Sequence, residues 1–343
     1  MEALVRTLDR ERVAPLVLLP FEGPLADDLR ATGTEVLLGP LAVLRRELLT
    51  PTGLPRLARE VRRVRPALAR LVRERGIDVV QANTSVILGL RAAAPRLVVH
   101  VHEIYPPTPV LWPLHRRALL QADALVCASE ATRSALGAGE VIYAGLSITP
   151  QRASKAPARA ALGLPEDAFV AAVLGRLSNW KGQEILVRAL ADPRLAGAVG
   201  LIAGDAWPGQ EHYERELRAL ATTDVRMLGF RDDVETILGA ADVVVIPSTR
   251  PDPLPNAALE AAAAGCCVVA AAHGGLPEIF TDGVTGRLVA PGDPIALATV
   301  LGELRADPAQ RSRLGAAAAA DVRERFPPGG PAAAFADLYD RLG

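Results

Sequence analysis

The chain has 343 residues, half of them hydrophobic, and a formal net charge of −1. That length gives one or two domains with ample apolar material for a core, and the near-neutral charge excludes a nucleic-acid binder that relies on global positive charge. Its three cysteines, Cys127, Cys266 and Cys267, sit in apolar runs without metal spacing, which reads as buried thiols in a reducing compartment. No stretch has the ~18 uncharged apolar residues of a membrane span and no signal peptide is visible, so a cytoplasmic protein is expected.

In chain order, residues 1–10 have the pattern of the end of an amphipathic helix. Strand 14–19, helix 23–31, strand 34–38, a long helix 54–75, strand 77–81, helix 86–93, strand 97–101, helix 112–121, strand 124–127, helix 129–136 and strand 140–143 follow. Apolar strands alternating with helices give a parallel, doubly wound sheet. Residues 148–164 are polar and proline-containing and read as a linker. A second series comes next: strand 168–174, helix 183–191, strand 198–203, helix 210–221, strand 225–228, helix 233–239, strand 242–246, helix 256–264, strand 266–270, short strand 286–289 and helix 294–305, with a last helix over 331–342. The expected layout is therefore an α/β protein with domains at 1–147 and 165–325, the linker 148–164 between them and a tail at 326–343. Two such domains suggest a cleft, and clefts between domains are common ligand sites.

The long helix carries Arg56, Arg59, Arg62, Arg63, Arg65, Arg70, Arg73 and Arg75 and is expected to break or kink at Pro66. Such a basic face docks on anionic lipid. The blander reading is a solvated face in an arginine-biased chain whose only lysines are Lys155 and Lys181.

Chemistry concentrates in the second series. Gly175-Arg176-Leu177-Ser178-Asn179-Trp180-Lys181-Gly182 follows its first strand and opens a helix, with two cations five residues apart. A helix amino terminus favours anions; Arg offers a bidentate fork to phosphate oxygens and Lys a compact point charge. The loop lacks the hydroxyl of a G-x-x-x-x-G-K-[S/T] phosphate loop, and no G-x-G-x-x-G follows a strand, which counts against a dinucleotide oxidoreductase. Downstream, Pro247 to Asp293 sets Asp252 in a proline-rich loop and Glu260 eight residues later on an alanine-rich helix that ends at Gly265. The Gly274–Gly275 loop and Glu278 follow. Both acids lie beyond the carboxyl end of a strand, where open α/β sheets bind ligands. A carboxylate among Ala and Leu, as at Glu260, needs a partner, and a ribose diol can be one. In the first series, His100-Val101-His102-Glu103 ends a strand, with both imidazoles on one side of it.

An acid, seven residues, a Glu, then A-x-A-x-G and G-G-x-x-E together resemble the donor-binding motif of retaining glycosyltransferase family 4 (glycosyl transferases group 1). Asp252, Glu260, Gly265, Gly274, Gly275 and Glu278 fill it. The close match covers roughly 175–293; the amino-terminal half matches in layout. The resemblance implies a GT-B fold of two Rossmann-like domains facing a cleft, with a terminal helix crossing back to the first domain. In the family a first strand and a glycine-rich loop precede a helix like 1–10, so that element is expected to be missing here. It implies a retaining, metal-independent sugar transfer from a nucleoside-diphosphate sugar to a glycan, lipid or small-molecule acceptor, in cell-envelope polysaccharide or glycolipid synthesis, with no cofactor. By this resemblance Arg176 and Lys181 hold the diphosphate and Glu260 the ribose. Gly175, Gly204, Gly274 and Gly275 are backbone approach points, Phe230 meets the base, and Asp252 and His102 border the reacting sugar. The family's first acid is usually Glu followed by P-F-G; here Asp252 precedes Pro253-Leu254-Pro255, and Pro255 has no N–H to give, so the sugar contact through Leu254 and its neighbours is altered. Two alternatives stand beside this reading: a degenerate family member acting as a binding partner, and a sugar-nucleotide epimerase of the same fold.

Overall fold

The structure, a computed structural model, describes every residue except 46–47, 51, 105–110, 147–149, 208 and 222–223. The chain divides into two compact units, Met1–Ser147 with Pro328–Gly343, and Ile148–Pro327.

The first unit runs α1 (Glu2–Thr7), β1 (Leu16–Leu19), α2 (Pro24–Ala31), β2 (Glu35–Leu38), α3 (Gly53–Glu74), β3 (Val79–Ala82), β4 (Arg96–Val101), α4 (Leu111–Leu119), β5 (Ala124–Cys127), α5 (Glu130–Leu136) and β6 (Glu140–Val141). β1 pairs with β2, and β3-β4-β5-β6 form a four-stranded sheet; every pairing is parallel. α3 buries Leu57, Val64 and Leu68 along one stripe and leaves its arginines exposed. It continues as one helix through Pro66, so the expected break is absent. The helix expected over 86–93 is also absent. Leu44 and Leu88 donate to the carbonyls of Val86 and Ala42, forming an antiparallel bridge, and Gly89 at φ +83° allows only a single 3-10 turn, Leu90–Ala92.

The second unit runs α6 (Lys155–Ala161), β7 (Val170–Leu174), α7 (Gln183–Leu190), β8 (Val199–Ala203), α8 (Glu211–Leu220), β9 (Val225–Gly229), α9 (Val234–Ala240), β10 (Val243–Ile246), α10 (Asn256–Ala263), β11 (Cys267–Ala271), α11 (Leu276–Ile279), β12 (Arg287–Val289), α12 (Pro294–Ala306) and α13 (Pro308–Arg325). Its six strands order as β9-β8-β7-β10-β11-β12, all parallel. The four central strands β8, β7, β10 and β11 are buried on both faces, which is why they read as apolar runs, while the outer strands β9 and β12 are half-buried and each carries an arginine. The sheet is wound outward in both directions from β7 and β10, so its topological switch point lies between their carboxyl ends.

The stretch read as a linker, 148–164, belongs to this unit and contains α6. Arg159, almost wholly buried, donates to the Ala240 carbonyl at 3.1 Å and to Asp242 at 2.7 Å, and also meets the Glu166 carbonyl; Lys155 reaches Asp242 at 2.6 Å. Basic residues that look solvated in the sequence are thus the anchor of the helix.

After α13 the chain returns to the first unit as α14 (Gly330–Leu342). Phe335 and Leu338 pack with Leu4 and Leu8 of α1, Val98 of β4 and Val126 of β5. Tyr339 donates to Gln81 at 2.6 Å, and Arg12 pairs with Asp337 at 2.7 Å. Among the described residues no helix is long and apolar enough to cross a membrane.

Candidate functional site

At the switch point the loops leaving β7 and β10 run against each other. The Thr249 amide donates to the Trp180 carbonyl at 2.8 Å, and its hydroxyl to the Asn179 carbonyl at 3.1 Å. Gly182, at φ +73°, ends the first loop where a Cβ would strike the Pro247 carbonyl. This seam sets Lys181 beside Asp252: Nζ and Oδ2 are 2.6 Å apart, with the aspartate buried and the lysine a quarter exposed. The sequence places these residues 71 apart; strand order makes them neighbours.

The backbone around the seam is close-packed. A Cβ on Gly204 would strike the Gly175 carbonyl, and a Cβ on Gly275 the Pro253 carbonyl. Gly274 lies against the backbone of Asp252, and the Gly275 amide donates to the Asp252 carbonyl at 2.8 Å. Only glycine allows these approaches, so the Gly274–Gly275 loop after β11 buttresses the loop after β10. Leu254 is buried, and the Pro255 carbonyl starts α10 by accepting from Ala258 and Leu259. His273 Nε2 lies 2.7 Å from the Ser248 carbonyl.

On the other flank, Asp205 after β8 binds both neighbours. Its carbonyl accepts from the Leu177 amide and its carboxylate from the Phe230 amide, each at 2.9 Å. Phe230 is thereby held by its backbone with its ring 74% exposed, so it is not a core residue. Arg176, Ser178, Trp180, Lys181, Trp207 and Gln210, with Leu177, line a cavity of about 140 Å³. The Ser178 hydroxyl is buried there without a hydrogen-bond partner among the described residues.

Glu260 stands one turn into α10, half-buried. Burial pushes its carboxyl above the usual range. Its carboxylate makes no hydrogen bond or ion pair among the described residues, and a half-desolvated acid left that way is costly unless something else meets it.

His102 belongs to the first unit. The rings of His100 and His102 are tilted by 46° with centroids 3.9 Å apart, and the Phe335 ring lies 5.1 Å from that of His100. Burial, with His102 alongside, pushes His100 down to about 2, so it is a neutral core histidine. His102 is also held below the ordinary imidazole range by burial, against the pull of Glu103, and its Nε2 has no partner among the described residues. Glu103 is taken up by Thr84, by Ser85 Oγ at 2.8 Å and by the His102 amide at 3.1 Å. Among the described residues no three His, Cys, Asp or Glu side chains are grouped to hold a metal ion.

The second unit therefore gathers Gly175, Arg176, Lys181, Gly204, Asp252, Gly274 and Gly275 at the carboxyl ends of neighbouring strands, with Leu254 buried beneath, Phe230 one strand further out and Glu260 on the helix that leaves the site. Sequence reasoning missed the pairing of Lys181 with Asp252, the carboxylate of Asp205 and the tryptophan at 207. A signal for the last was present: an aromatic residue in the polar loop just after Gly204-Asp205.

Comparison with known proteins gives this geometry relatives. The Glycosyl transferases group 1 family matches residues 154–321, and Glycosyltransferase Family 4 matches 1–146. A D-inositol 3-phosphate glycosyltransferase of Streptomyces avermitilis is 36% identical over 236 residues, which is 64% of this chain and 49% of that protein. The lipopolysaccharide core biosynthesis glycosyltransferase LpsD of Rhizobium meliloti is 35% identical over 193 residues, 55% of each. The chain spans about half the length of the curated relatives it matches. Among solved structures, Anabaena HepE in complex with UDP-glucose is 28% identical with a TM-score of 0.80, covering 99% of this chain and 95% of that one. With residues 1–146 matched by Glycosyltransferase Family 4 and 154–321 by Glycosyl transferases group 1, the chain belongs to glycosyltransferase family 4, and its two Rossmann-like units are those of the GT-B fold.

Proposed function

We propose that the protein transfers a sugar, with retention at the anomeric carbon and without a resident metal, from a nucleoside-diphosphate sugar held at the switch point of the second unit. The observation that carries the reading is the convergence of Arg176 and Lys181 with Asp252 between β7 and β10, the place where sheets of this topology take ligands. Arg176 and Lys181 face the diphosphate. As the bond from the anomeric carbon to the diphosphate oxygen breaks, negative charge grows on the leaving group, and fixed cations there lower the barrier. The new bond forms from the acceptor oxygen on the same face, and its proton passes to the leaving phosphate. Glu260 accepts the two ribose hydroxyls, which would supply the partner its carboxylate lacks among the described residues. Asp252, shorter than the family's usual Glu and bound to Lys181, borders the sugar through its remaining oxygen. His102, which the resemblance to the family sets beside the reacting sugar, has a buried Nε2 without a hydrogen-bond partner among the described residues. The HepE complexes with UDP and UDP-glucose make uracil the base to test first, and of the named relatives LpsD points to an envelope glycolipid or polysaccharide acceptor, the D-inositol 3-phosphate glycosyltransferase to a small phosphorylated one.

Calorimetric titration with UDP and UDP-glucose tests the site. Wild-type protein is expected to bind, and Glu260→Ala to lose at least tenfold in affinity, about 1.4 kcal/mol. Undiminished binding in the variant would remove the ribose assignment.

A further inference from the structure

Two of the chain's three tryptophans stand on the cations of the switch-point loop. The guanidinium carbon of Arg176 lies 4.2 Å from the centroid of the Trp207 ring, and Lys181 Nζ lies 4.3 Å from that of Trp180. Both are well inside the ~6 Å reach of a ring quadrupole, and both rings line the cavity that the cations line.

The two contacts differ in what else holds the cation. Lys181 is fixed by Asp252 at 2.6 Å, and Trp180 is merely its neighbour in the chain. Arg176 is exposed, and its guanidinium makes no ion pair and no hydrogen bond among the described residues; only its main-chain carbonyl is held, by Gln183 at 2.8 Å. What the guanidinium has is Trp207, which arrives from the loop after β8 with its ring 54% exposed. An arginine ordered only when an anion binds gives up rotamer freedom at that moment, and affinity falls accordingly. One already held over an indole has part of that freedom removed before the ligand arrives. Stacking occupies the face of the guanidinium and leaves its edge, where the N–H donors are, open to phosphate oxygens.

We propose that Trp207 is a positioning residue, which holds the Arg176 guanidinium with its N–H edge toward a bound diphosphate. The proposal rests on the reading of this loop as the diphosphate's cradle and adds that aromatic stacking forms the cradle before the ligand arrives. It also explains why a large aromatic ring stands half in solvent beside a charged cavity rather than in the core.

The test is calorimetric titration of the whole chain with inorganic pyrophosphate and with UDP, using wild type, Trp207→Leu, Trp207→Phe, Arg176→Met and the Trp207→Leu/Arg176→Met double variant. Trp207→Leu is expected to bind about two- to fivefold more weakly, Trp207→Phe to recover part of that loss, and the thermal midpoints of both to match wild type. In the double variant the loss should not exceed that of Arg176→Met alone, because Trp207 acts through the arginine. A second reading is optical: with Trp112 and Trp180 replaced by Phe, emission from Trp207 should change on addition of pyrophosphate. Wild-type affinity in Trp207→Leu, or a loss that simply adds to that of Arg176→Met, would overturn the positioning role while leaving the cradle standing. Absence of binding to the wild type by either probe would overturn the cradle and this role with it.

Discussion

Lys181 and Arg176 carry the same charge in the same loop, but their surroundings separate what each does. Lys181 neutralises a buried carboxylate; Arg176 neutralises nothing among the described residues. Lys181→Met should therefore cost the fold as well as the ligand. It strands Asp252 without its cation, at about 1–3 kcal/mol, less than the fully buried case because the lysine is a quarter exposed. Arg176→Met should weaken UDP binding with the melting temperature unchanged. Thermal denaturation and titration on the same two variants check this, and equal melting temperatures for both would show that the Lys181–Asp252 pair does not support the fold. Neither contrast is legible in the sequence, where the two cations look alike; it needs the neighbouring loop, which only strand order supplies.

Among the elements, α6 shows most clearly how sequence and structure part. It and the stretch before it look like a polar linker because Arg152, Lys155 and Arg159 dominate them, yet these side chains meet the carbonyls and carboxylate at the end of α9 and start of β10. Burial pushes the Asp242 carboxyl up, but Lys155, the Val170 amide and Arg159 outweigh it and hold it below the usual carboxylate range. A group depressed in the folded state adds stability that is present above its unfolded value, ~3.9 for Asp, and is lost as pH falls through the folded value. Asp242→Asn should thus cost about 3–5 kcal/mol at neutral pH and make stability less steep in acid; urea unfolding at pH 7 and pH 3 measures both, and parallel pH dependence in variant and wild type would refute the assignment. Other elements were plain from the residues. The central strands of the second unit are apolar runs, and β7, β8, β10 and β11 lie where that pattern puts them. α13 was not assigned, although it carries a helix start of ordinary kind: Asp307 caps it by accepting from Gln310 at 2.8 Å, with Pro308 in the first turn. Its long alanine run blurs the apolar stripe that would have marked it.

At the scale of the molecule, what the sequence carried best was the winding of the second unit, because alternating strands and helices admit few right-handed arrangements and the order β9-β8-β7-β10-β11-β12 is one of them. It carried the first unit less well, since that unit is assembled from both ends of the chain. Phe335, fully buried from α14, touches the same cluster as Leu4, Val98 and Val126. Phe335→Ala should open a cavity there and cost about 3–5 kcal/mol, while UDP affinity, which the proposed function assigns to residues of the second unit, should stay within twofold. A drop in affinity as large as the drop in stability would show that the nucleotide's site depends on the first unit's core.

That return of the chain also bears on the order in which the protein is made. The second unit is continuous, Ile148–Pro327, and can close as soon as it leaves the ribosome, whereas the first unit has all six of its described strands translated early and waits for Pro328–Gly343 to finish its core. At ~5–20 residues per second the delay is on the order of 10–40 s. Through that interval the apolar faces of Val98 and Val126 have no helix over them, and the nascent amino-terminal half is the part of this protein that chaperones would be called to hold.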